Sequence, residues 1–89
     1  MAPSICVLVV EDEPLIRMDI VDFLLGEGFE VLEAANADEA IDLLEANAQI
    51  QIMFTDIDMP GSMDGIKLAA AVRDRWPPVR IVATSGQAV

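Results

Sequence analysis

The chain has 89 residues, enough for one domain with a small core. Apolar residues make up 54% of it, and 16 acids against 5 bases, with no histidine, give a net charge of −11. Such a surface repels DNA and RNA, which argues against direct nucleic-acid binding by this segment.

The first apolar run, "ICVLVV" (5–10), is short, β-branched and without polar alternation. It predicts a strand buried on both faces. Six residues ending in acids make neither a signal peptide nor a membrane span. Cys6, the only cysteine, lies inside this run and reads as a buried, inert thiol. One cysteine allows no disulfide framework, which fits a reducing, cytoplasmic setting.

"PLIRMDIVDFLLGEG" (14–28) predicts a helix. Leu15, Ile16, Ile20, Phe23 and Leu24 recur at helical spacing, Pro14 suits the first turn, and Gly26 or Gly28 suits the stop. "FEVLEA" (29–34) alternates apolar and acidic residues, the pattern of a strand with one wetter face near a sheet edge. "NADEAIDLLEANA" (36–48) predicts a second helix, with Asn36 and Glu39 spaced as a capping box. "IQIMFT" (50–55) is a third strand and "DGIKLAAAVRDRW" (64–76) a third helix, ended by Pro77-Pro78. "VRIVATS" (79–85) is a fourth strand. Trp76, just before the two prolines, reads as packing. Gly61 and Gly65 read as turn residues, Glu13 as a charge complementing the helix dipole, and Asp64 as the start of the third helix.

The order β-α-β-α-β-α-β implies a doubly wound α/β fold with a parallel sheet and right-handed crossovers. In such a sheet every strand opens at the same edge, where ligands bind. The first strand ends at Glu11-Asp12 and the third at Asp56. If these two strands are neighbours, three carboxylates converge. They cannot all stay ionised unless a cation compensates them or a pKa rises. Hard oxygen ligands without histidine or a nearby thiol favour magnesium. A magnesium ion beside an exposed aspartate suits phosphoryl chemistry, with aspartate able to act as nucleophile.

"VLVVEDEPLIR", "FTDIDMPGSMDG" and "RIVATSG" resemble the three signature stretches of the bacterial response-regulator receiver domain, and the likeness extends over essentially the whole chain. The resemblance implies a flavodoxin-like sheet of strand order 2-1-3-4. It implies that Asp56 accepts a phosphoryl group and that Asp12 binds magnesium directly. Glu11 would act through the metal's waters, the Asp58 carbonyl would add a contact, and Thr84 would close onto the phosphoryl group. It also implies a sensor histidine kinase or phosphotransfer protein as partner, with small acyl phosphates as possible donors. A complete receiver has a fifth strand followed by a lysine at the site. Neither is in these residues, and Lys67 lies in the third helix. Residues 1–89 are therefore expected to be a receiver incomplete at its C-terminus, with the fourth strand an open edge that invites a second copy.

Two other classes compete. One is a receiver-like interaction module that no longer accepts phosphate. The other is a haloacid-dehalogenase-type phosphatase, suggested by Asp56-Ile57-Asp58. Against that reading, its Asp-x-Asp belongs on a first strand, and the residue expected two positions further on is displaced by Pro60-Gly61.

Overall fold

The computed structural model describes residues 4–57 and 65–84. Four strands and three helices alternate through them: β1 (Cys6–Val10), α1 (Pro14–Gly26), β2 (Glu30–Ala34), α2 (Ala37–Ala46), β3 (Ile50–Asp56), α3 (Gly65–Arg75) and β4 (Arg80–Thr84). The strands form one parallel sheet in the order β2-β1-β3-β4. The expected β1–β3 neighbourhood is therefore present. No helix among the described residues is long and apolar enough to cross a membrane.

β1 is buried along its whole length because it is an inner strand with helices on both sides. Cys6, Leu8 and Val10 face α2 and α3, packing with Ala37, Ala40, Leu44, Leu68 and Val72. Val7 and Val9 face α1, packing with Ile20, Val21 and Leu24. Burial pushes the Cys6 thiol up, helped by the charge of Glu30, so it stays protonated and inert as expected. Trp76 joins the α2/α3 side of the core, with the Arg75 guanidinium 4.4 Å from its ring centroid.

An irregularity in the β1–β3 pairing lies between Cys6 and Val7: Cys6 pairs with Ile50, but Val7 pairs with Ile52. Side chains alternate along a regular strand, so Ile50 and Ile52 would share a face. Passing Gln51 unpaired flips this. Ile50 reaches the α2/α3 core, Ile52 packs on the α1 side, and Gln51 stays exposed.

Helix ends follow local chemistry. Asn36 caps α2, its Oδ1 accepting from the Glu39 N–H at 2.9 Å, while Glu39 Oε1 accepts from the Ala35 N–H at 2.8 Å. The return bond of the expected capping box thus goes one residue further back. At the end of α1, Gly28 takes φ 93° and its N–H donates to Leu25 O at 3.1 Å, so Gly28 rather than Gly26 makes the stop. β2 is an edge strand with Glu30 and Glu33 exposed, as its alternation implied.

α1 departs from the simple amphipathic pattern. Val21, Ile20 and Leu24 pack on the sheet, but Leu15, Ile16 and Phe23, on the same apolar count, stay exposed. The helix is apolar nearly all round, so spacing alone does not pick the buried stripe.

Candidate functional site

β1, β3 and β4 bring the site residues to the same C-terminal end of the sheet. Val10 pairs with Ala34 on one side and Thr55 on the other, and Asp56 pairs with Thr84. The next residue after β1 is Glu11, then Asp12, so both acids emerge beside the end of β3. Carboxylate oxygens of Glu11, Asp12 and Asp56 lie within 4.8 Å of one another. Glu11 and Asp56 are buried at 5% and 7% exposure, and Asp12 is exposed.

The backbone beneath them is fixed. The Glu11 N–H donates to Ala34 O at 3.0 Å, continuing the β1–β2 ladder one residue past the strand. Glu11 Oε2 accepts from the Glu13 N–H at 3.0 Å. On the other side, the Ile57 N–H donates to Thr84 O at 2.8 Å and Ile57 O accepts from the Gly65 N–H at 3.0 Å. Thr55, fully buried below the site, donates its hydroxyl to Asp56 O at 3.1 Å. Asp56 therefore sits on a backbone held from β4, from α3 and from its own strand.

Burial holds the Glu11 carboxyl above the usual carboxylate range. Its hydrogen bond with Asp12 and the charges of Asp56 and Asp12 push the same way, against a lowering bond from the Glu13 N–H. The ionised cluster is thus internally opposed. A divalent cation relieves the opposition, and three hard oxygen donors with no imidazole or thiol fit magnesium.

A pH-dependent stability follows. Glu11 has a folded pKa above its unfolded one, so folding favours its neutral form. The penalty is absent below the unfolded pKa and grows as pH rises toward and through the folded one. Glu11→Gln, which keeps the oxygen facing the Glu13 N–H, should raise the thermal midpoint at pH 7 in EDTA. The gain should vanish near pH 4 and shrink at pH 7 once magnesium is added. Circular dichroism melts at both pH values test this; a gain equal at pH 4 and pH 7 contradicts it.

The residues named from sequence come together for Glu11, Asp12 and Asp56, and Thr84 lies opposite Asp56 on β4. Asp58, Gly61 and Asp64 fall outside the described residues. Sequence reasoning missed the role of Gly65. It is the first residue of α3, and a Cβ there would overlap the Asp56 carbonyl oxygen and lie 2.6 Å from Ile57 Cα. Arg17 was also missed. Its Nη1 donates to Glu11 O at 2.7 Å and its Nε to Glu33 Oε1 at 3.2 Å. A glycine at a helix start and an isolated arginine in a helix carry no distinguishing signal in one sequence.

Known proteins resemble this chain in sequence and fold. The chain is 37% identical over 86 residues to the sensor kinase CckA of Brucella abortus, covering 96% of this chain and 9% of that protein. It is 36% identical to the transcriptional regulatory protein PdtaR of Mycobacterium tuberculosis, covering 91% of this chain and 40% of that one. It thus spans less than half the length of these relatives. Among solved structures, the response regulator TrrA of Thermotoga maritima in complex with Mg2+-BeF superposes with a TM-score of 0.86 at 30% identity, covering 93% of this chain and 70% of that one. The same regulator in complex with the histidine kinase ThkA gives 0.85 at 30% identity, covering 94% and 71%. Residues 7–89 match the family described as "Response regulator receiver domain". Fold, carboxylate edge and this match agree: the chain belongs to the response regulator receiver domain family.

Proposed function

We propose that residues 1–89 act as a receiver unit that takes a phosphoryl group onto Asp56 from a sensor histidine kinase or a phosphotransfer protein, in the cytoplasm. The observation that carries this reading is the carboxylate of Asp56, at the end of β3, within 4.8 Å of those of Glu11 and Asp12. The Thermotoga regulator's complexes with Mg2+-BeF and with a histidine kinase support it.

In this reading an Asp56 carboxylate oxygen forms the new bond to phosphorus. The bond from phosphorus to the donor's imidazole nitrogen breaks, and that nitrogen keeps the electron pair. Asp12 and Asp56 would hold magnesium directly, Glu11 through a bound water, and the Asp58 carbonyl would add a further ligand. The ion would neutralise the oxygens of the transferring phosphoryl group. The chain's own part is positional. β3 holds the nucleophile rigidly, and Glu11 and Asp12 leave no room for a second anion without a cation. Thr84, paired with Asp56 across β3 and β4, would turn its hydroxyl toward the acquired phosphoryl group. One phosphoryl group per chain then serves as a signal, not as a turnover product.

Incubation with magnesium and a small acyl phosphate, followed by intact-mass analysis, tests the proposal. A single phosphoryl adduct that is lost to hydroxylamine is expected. No adduct, together with no spectral response to beryllofluoride, would place the chain with receiver-like interaction modules instead.

Self-association is a further part of the proposal. Among the described residues β4 pairs only with β3, and Val82 is 45% exposed. β2, the other edge, carries Glu30 and Glu33, whereas β4 carries one charge, Arg80. Charged edges resist strand addition and apolar ones invite it. The 89-residue chain should therefore associate through β4. Its mass by light scattering should climb from 9.6 kDa toward twice that with concentration. The climb should steepen with salt, which screens the net charge of −11. A mass fixed at the monomer value at high concentration and high salt would end this part of the proposal.

A further inference from the structure

Arg17 is the only basic residue before Lys67. It stands in the first turns of α1, with its side chain 20% exposed, and its guanidinium joins two elements. One arm holds the carbonyl oxygen of Glu11 and the other reaches Glu33 on β2, which pairs with Val9 of β1. Other polar groups of Glu11 are also engaged, its N–H by Ala34 O and its Oε2 by the Glu13 N–H. The peptide whose oxygen Arg17 grips is the one whose nitrogen belongs to Asp12. Its orientation sets the direction in which the exposed Asp12 carboxylate leaves the strand end.

We propose that Arg17 is a positioning residue for the divalent cation. It acts by fixing the Glu11–Asp12 peptide, with Glu33 holding the guanidinium in plane. This rests on the reading that Glu11, Asp12 and Asp56 bind that cation. Charge and geometry make opposite demands here. As a nearby positive charge, Arg17 repels magnesium, so its removal should tighten binding if charge alone mattered. As the anchor of the peptide, its removal frees Asp12 to point elsewhere and should weaken binding. Orienting partners of metal ligands matter on the scale of about 10–100-fold in affinity, whereas the charge of Arg17 is already balanced by Glu33 at 3.2 Å, leaving little net repulsion of the cation. Geometry therefore wins.

The test titrates magnesium alone into the whole chain and follows the amide shifts of Asp12 and Asp56 by NMR. Circular dichroism confirms that each variant is folded. Arg17→Ala should raise the magnesium dissociation constant about 10-fold. Arg17→Lys should lose less, since an ammonium can hold the carbonyl but cannot span both partners in one plane. Adding Glu33→Gln to Arg17→Ala should cost nothing more, because the two act as one unit. Unchanged or tighter binding in a folded Arg17→Ala chain would overturn the inference and leave the assignment of Asp56 standing. If Arg17→Ala fails to fold, Arg17→Lys and Glu33→Gln decide, and wild-type affinity in both overturns it. A wild-type chain that takes up no magnesium overturns this inference and the metal reading together.

Discussion

Asp56→Asn should abolish phosphoryl uptake, from a cognate kinase and from small acyl phosphates alike. Asparagine keeps the shape of the side chain but replaces the anionic oxygen that attacks phosphorus with an amide. No other carboxylate of the cluster can take over cleanly. The Glu11 carboxylate is tied to the Glu13 N–H, and its pKa is raised. Asp12 is exposed but belongs to a loop rather than to the end of a paired strand. Loss of a covalent nucleophile costs on the order of 10^4 or more in rate. The fold should survive, because the substitution removes one of three crowded negative charges and leaves in place the Ile57 backbone bonds and the Thr55 hydroxyl bond to the Asp56 carbonyl. Asp12→Asn is the control. It keeps the nucleophile and weakens the metal, so raising magnesium should recover part of its uptake, while no magnesium concentration should recover Asp56→Asn. Intact-mass analysis against magnesium concentration separates the two. An adduct of unchanged yield in Asp56→Asn would show that another residue is the acceptor.

The sequence made the architecture legible because each element advertised itself by its own physics. β1 is an unbroken apolar run because helices cover both its faces, and β2 alternates because it is an edge. Asn36 and Glu39 announced a helix start that the structure places at Ala37. The carboxylates were legible for the same reason: each ends a strand, and parallel strands end at one edge. What could not be read is whatever depends on a neighbour distant in sequence. The irregularity at Gln51 is set by which core Ile50 joins, not by any turn residue. The buried stripe of α1 is chosen by the sheet beneath it, so Phe23 lies out and Val21 in. Arg17 looks like a solvated helix charge until Glu11 and Glu33 are seen on either side of it. Gly65 looked like a turn residue for want of any sign that Asp56 lies against it.

That contact makes Gly65→Ala the substitution with the largest expected effect on the fold. α3 begins where its first residue touches the end of β3. The Gly65 N–H donates to Ile57 O at 3.0 Å, and a methyl group there would overlap the Asp56 carbonyl oxygen. It would also sit 2.6 Å from Ile57 Cα and 2.8 Å from the Asp56 carbonyl carbon. These are backbone atoms, so no rotamer change relieves the clash. The Asp56 carbonyl also accepts from the buried Thr55 hydroxyl, and the Ile57 N–H is tied to Thr84 O. Either α3 lifts from the sheet, taking Leu68 and Val72 partly out of the core, or the Asp56 peptide turns. Alanine favours a helix interior by about 1 kcal/mol over glycine, which opposes the loss. Forcing atoms into filled space costs about 1–3 kcal/mol, and more where nothing can yield. The clash wins, and a net loss of about 2 kcal/mol or more is expected, a large part of the stability of a domain this small. Because the strain falls on the residue that carries the carboxylate, magnesium affinity should fall as well, in whatever fraction remains folded. Urea unfolding and a magnesium titration on the same variant measure both. A Gly65→Ala chain with unchanged midpoint and unchanged magnesium affinity would mean that α3 does not press on Asp56.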